Sequence, residues 1–155
     1  MVFDDFTSEF GRILSLAGSL IHNTQSKGGL GLSFDVGVIA PLSMVALKCR
    51  VPKICRRATA LLKLAPDREG MWHRSSVVEH AEWKVETEER GHGALLETSP
   101  LPDSARIHSE QSREAVIEGK RVTILRFKRG PTDRSGDREF EEQITGLSAA
   151  MGELI

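Results

Sequence analysis

Residues 49–90 read CRVPKICRRATALLKLAPDREGMWHRSSVVEHAEWKVETEER: a basic helical stretch, a proline stop, an Arg-Glu-Gly turn and an acidic helix bearing tryptophan. Pro52 is placed to open the basic helix, since a missing N–H costs nothing in a first turn. Within it Ile54, Ala58, Leu61, Leu62 and Ala65 form an apolar stripe, Lys53, Arg56 and Arg57 point elsewhere, and Pro66 ends the run. The next helix is expected from about Met71 to Arg90, and at about 100° per residue it has two apolar faces. Met71, Val77, Val78, Ala81 and Val85 gather on one side, and Trp72 and Trp83 come round together on nearly the opposite side. A helix that is apolar on two sides implies neighbours on both, as in stacked helical hairpins. Glu86, Glu88 and Glu89 crowd its C-terminal end, which the helix dipole disfavours.

On the N-terminal side, Phe3, Phe6, Phe10, Ile13, Leu14, Ala17, Leu20 and Ile21 recur at three- and four-residue intervals and predict a helix that stops near His22-Asn23. Asp4 and Asp5 suit its positive end. Ser26, Gly28, Gly29 and Gly31 then read as a flexible connector that matches no phosphate-binding glycine pattern. Phe34 to Leu47 is apolar nearly all round and predicts a buried helix, with Pro41 either breaking its middle or opening a shorter one.

Beyond Gly91 the texture changes. His92 to Ser112, with Gly93, Pro100 and Pro102, reads as a linker or long loop. Ala115 to Glu118 and Arg121 to Phe127 flank Gly119-Lys120 and predict a hairpin with positive φ at Gly119. Lys128 to Asp137 is a second loop, and the region around Phe140 and Ile144 fits a helix or a third strand. The expected organisation is a helical regulatory-type region over 1–91, a linker over 92–112, a β-hairpin or small meander over 113–145 and a tail over 146–155. The fold class expected is mainly α: stacked antiparallel helices with a small C-terminal β-hairpin.

Composition bounds the function. A chain of 155 residues with 39% hydrophobic and 28% charged side chains is in the range of one modest globular domain. A net charge of -1 gives no overall pull toward nucleic acid or anionic lipid. Aromatic content of 5%, without tyrosine, argues against a stacking surface for single-stranded nucleic acid. The opening MVFDDFTSEF has acids where a secretory signal needs a basic segment, so the nucleus or cytoplasm is expected. The uncharged, apolar run Val36 to Leu47 falls short of the about 20 apolar residues that span a bilayer, so no membrane partner is expected.

Few residues suggest chemistry. Cys49 and Cys55 lack close C-x-x-C spacing and a second pair, so they read as reduced, packed thiols rather than metal ligands. His73 and His80 share a side of one helix without an H-E-x-x-H pattern. Ser75, Ser76 and His80 lack a nucleophile elbow and an orienting acid, so no enzyme is expected, and no catalytic, cofactor-binding or metal residue is assigned. Lys48, Arg50, Lys53, Arg56 and Arg57 form a possible basic patch, against the plainer reading of a solvated helix face. Trp72 and Trp83 are either a partner-binding face or core.

Taken together, Cys49-Arg50-Val51-Pro52, Arg56-Arg57-Ala58, Pro66-Asp67-Arg68-Glu69-Gly70, Met71-Trp72, Ala81-Glu82-Trp83 and the acidic Glu86 to Glu89, preceded by the apolar Phe34 to Leu47, resemble the regulatory region of fungal binuclear zinc-cluster transcription factors. The hairpin around Glu118 to Val122 is similar to the C-terminal strands of that family, so the likeness covers roughly residues 30 to 130. Val51 stands where the family often has Asp, removing a helix cap worth about 1 kcal/mol, and His73 stands in place of Asp. The resemblance implies transcription regulation in the nucleus, with a protein partner or self-association. The family's DNA-binding module uses six cysteines on two zinc ions, whereas this chain has two cysteines. Zinc and direct DNA contact are therefore expected only in a missing domain. The different class of reading is a free-standing helical interaction scaffold.

Overall fold

Phe10, Leu14, Ala17 and Ile21, spaced four, three and four apart, are all buried, and this spacing is what makes the first helix amphipathic. In a computed structural model of the chain, residues 3–26, 32–33, 37–90, 92, 99–130 and 141–145 are described. They fall into two units, Met1–Leu101 and Pro102–Ile155.

In the first unit a 3-10 turn, Asp4–Phe6, leads into α1, Thr7–Ser26. Then follow β1 (Leu32–Ser33), α2 (Ile39–Lys48), α3 (Pro52–Leu62), β2 (Arg68–Glu69), β3 (Trp72–His73) and α4 (Arg74–Glu89). The connector glycines Gly28, Gly29 and Gly31 and residues 34–36 lie outside the described residues. Of the two readings of Pro41, the shorter helix is adopted: α2 begins at Ile39 with Pro41 inside its first turn, where no intrahelical N–H bond is lost. Pro52 occupies the first turn of α3.

The core is the apolar contribution of all four helices. Ile39, Leu42 and Val45 of α2, Ala58 and Leu62 of α3 and Ala81 of α4 are sealed from solvent. Burying a side chain such as Leu42 or Leu62 stabilises the fold by about 1.5–3 kcal/mol. α4 is buried on two sides: Ala81, Val77, Val78 and Val85 belong to or pack on this core, whereas Trp83 and Thr87, on another side, are buried outside it.

A small mixed sheet accompanies the helices. β1 runs parallel to β2 with Leu32 opposite Arg68, and β2 runs antiparallel to β3 with Glu69 opposite Trp72. Gly70, at φ 55°, makes the turn between them, a left-handed conformation that glycine adopts without strain.

In the second unit a 3-10 turn, Asp103–Ala105, precedes β4 (Ile107–Ile117), β5 (Lys120–Arg129) and β6 (Glu141–Thr145), an antiparallel sheet in that order. β4 starts at Ile107, within the stretch expected as linker over 92–112. The hairpin turn is Glu118-Gly119, one residue earlier than Gly119-Lys120, and both residues have positive φ, 51° and 75°. That pair of conformations matches the right-handed twist of the flanking strands. Residues 131–140, with most of the second loop and Phe140, and the tail over 146–155 lie outside the described residues.

The expected fold class therefore needs correction. The described residues form four α-helices and two three-stranded sheets, so the protein is mixed α/β rather than mainly α, and the described C-terminal element is a sheet rather than a small hairpin. The strands were obscured because β1, β2 and β3 have two residues each, too short for an alternating pattern, and because β4 is polar through most of its length.

Candidate functional site

The α2–α3 corner is built by a few backbone and side-chain contacts. Cys49 leaves α2 in an extended conformation and Val51 enters α3 in another, without a side-chain cap. The carbonyl of Val51 accepts the N–H groups of both Ile54 and Cys55. The guanidinium of Arg50 donates to the carbonyl of Leu101 through Nε at 2.9 Å and through Nη2, while Leu101 N–H returns a bond to Arg50 O at 2.8 Å. The end of the first unit is thereby fastened to the corner.

Glu69 closes the opposite end of α2. Its carboxylate, 3% exposed, accepts Val38 N–H at 3.0 Å and Ile39 N–H at 2.7 Å. These are orphan donors of a helix whose own N-cap, Val38, has no side-chain acceptor, and a carboxylate there also meets the positive end of the dipole. Gly37 admits the carboxylate: a Cβ at that position would lie 2.7 Å from Glu69 Cδ, closer than packed carbons approach. Arg74, the first residue of α4, donates to Ala65 O at 2.7 Å and pairs with Asp67, tying the helix to the strand turn before it.

Between α3 and α4 runs a groove of about 490 Å³ whose lining includes Ala60, Leu64 and Val85. Two ion pairs cross it. Arg56 grips Glu89, with Nε at 3.1 Å from both oxygens and Nη2 at 2.6 Å, and Lys63 meets Glu82 at 2.6 Å. Both pairs are partly solvated, so each is worth about 0.2–1 kcal/mol.

Among the basic residues, Arg50 and Arg56 are engaged as described, Lys48 at the end of α2 lies 5.9 Å from the centre of the Phe3 ring, and Lys53 and Arg57 are exposed. The tryptophans lie on different elements. α4 starts at Arg74, and His73 before it is extended, so the helical phase that joined Trp72 to Trp83 does not run through Trp72. Trp72 sits in β3, 44% exposed, and Trp83 is 8% exposed and stacked on His80 with ring centres 5.9 Å apart.

Sequence reasoning missed the Glu69 cap, the Arg50 latch and the Arg74 tie. Each joins residues far apart in the chain or joins a side chain to backbone, and no short-range pattern marks such a pair. Among the described residues no group of three or more His, Cys, Asp or Glu is arranged to hold a metal ion. Among them, too, no helix is long and apolar enough to cross a membrane. No family model, curated protein or solved structure matches the chain.

Proposed function

We propose that this chain is the regulatory, non-DNA-binding part of a fungal zinc-cluster transcription factor, acting on transcription in the nucleus as a portion of a longer product. One observation supports the reading. Several of the residues that carry the resemblance belong to the framework of the first unit: Arg50 latches Leu101, Glu69 caps α2, Arg56 of α3 holds Glu89 of α4 and Ala81 is sealed in the core. A pattern composed of framework residues marks a shared fold more than a shared reaction, as expected of a regulatory region whose DNA contacts reside elsewhere.

The test is a mobility-shift assay on the purified chain across a range of salt. The proposal expects no sequence-selective complex, and any weak association to vanish as salt rises, since phosphate contacts alone are strongly salt-dependent. A sequence-selective, salt-resistant shift overturns it.

The free-standing interaction scaffold is favoured by a different observation, the solvent-exposed Leu16 and Leu20 on α1 and Met71 and Trp72 at the β2–β3 turn. On that reading Trp72→Ala abolishes capture of a partner with helical circular dichroism unchanged. On the first reading partner capture by the isolated chain is not required.

A further inference from the structure

We infer that Cys49 and Cys55 are a reversible redox pair that can staple the α2–α3 corner through a disulfide. The chain has two cysteines, and both are reduced, buried thiols, 3% and 4% exposed, at the same bend. The Cys55 thiol donates to the carbonyl of Cys49 at 3.2 Å, and the Cys49 sulfur accepts Val51 N–H at 3.4 Å. Each sulfur is thus held by the backbone of the same three residues, 49–51, at one bend of the chain. Burial disfavours bonds between molecules, and with no third cysteine the intramolecular pair is the one disulfide the folded chain can make within itself.

The chemistry needs a two-electron oxidant such as hydrogen peroxide. Cys49, whose sulfur already faces the Val51 N–H, attacks as thiolate: the S–O bond forms, the O–O bond breaks, and the departing oxygen leaves as water. Cys55 sulfur then attacks the sulfenic sulfur of Cys49, forming S–S and breaking S–O, and a second water leaves. The two thiols lose two electrons and their two protons, peroxide is reduced to two waters, and an external thiol reverses the bond by exchange. The ring closed by the bond contains Arg50, whose guanidinium holds Leu101, so oxidation locks the corner that fastens the end of the first unit.

The experiment is equilibration of the full chain with glutathione, reduced and oxidised, in native buffer and again in urea, followed by tryptic mass analysis. Cleavage at Lys48, Arg50, Lys53 and Arg56 yields Cys49-Arg50 and Ile54-Cys55-Arg56, which remain joined when the disulfide is present. If the fold presents the pair, the effective concentration of one thiol at the other is at least about tenfold higher in native buffer than in urea, and by linkage the oxidised chain melts at higher temperature. An effective concentration equal or lower in native buffer, or mixed glutathione disulfides in place of the joined peptides, overturns the inference.

Discussion

The carboxylate of Glu69 shows how one residue can hold two elements. It takes two donors, one on each oxygen, so Glu69→Gln leaves a single acceptor for Val38 and Ile39, and Glu69→Ala leaves none. A buried N–H without a partner costs about 1–3 kcal/mol, and urea denaturation should find Glu69→Gln less stable by that amount and Glu69→Ala by more. Gly37→Ala should cost about 1–3 kcal/mol in the same assay, because its methyl group must displace the carboxylate from the helix end. Glutamine and alanine variants that unfold at the wild-type midpoint would remove Glu69 from the framework. The two tryptophans separate in the same way. Trp83→Ala opens a space among buried groups and is expected to cost about 3 kcal/mol, whereas Trp72→Ala, at an exposed strand position, should stay within about 0.5 kcal/mol of wild type.

Elements with a helical period were legible in the sequence, and those without one were not. α1 and α3 follow from apolar residues spaced three and four apart, and Pro52 marks the start of α3. α4 was placed near its true bounds but begins at Arg74 rather than Met71, because Met71 and Trp72 are taken by the turn and strand that Glu69 requires. The strands β1, β2 and β3 are set by pairing between segments far apart in the chain, which no local window registers. Between α3 and α4 the Arg56–Glu89 contact was equally invisible, although both residues were singled out for their charge. A double-mutant cycle with Arg56→Ala and Glu89→Ala should give a coupling of about 0.2–1 kcal/mol that shrinks as salt is added, as a half-solvated pair requires. A coupling that is zero at low salt would mean that this pair does not help hold the helices, leaving their contact to the core residues Ala58, Leu62 and Ala81 and to the Lys63–Glu82 pair.

On the scale of the molecule, the first unit is a helical body finished with a small sheet, and the second is an antiparallel sheet of its own. Proline, glycine and polar residues after Gly91 mark a change of texture in the sequence, but they did not show that strand β4 would begin at Ile107. The candidate site was not legible in detail: the basic run Lys48 to Arg57 allowed a patch or, more plainly, a solvated helix face, and it showed neither the Arg50 latch nor the Arg56 ion pair. What remains is the functional proposal, that these framework residues belong to the regulatory part of a longer zinc-cluster regulator. Sequencing the full-length message through the codon for Met1 and upstream tests it most directly. The account predicts an in-frame upstream segment encoding six closely spaced cysteines, and a message whose reading frame opens at Met1 would contradict it.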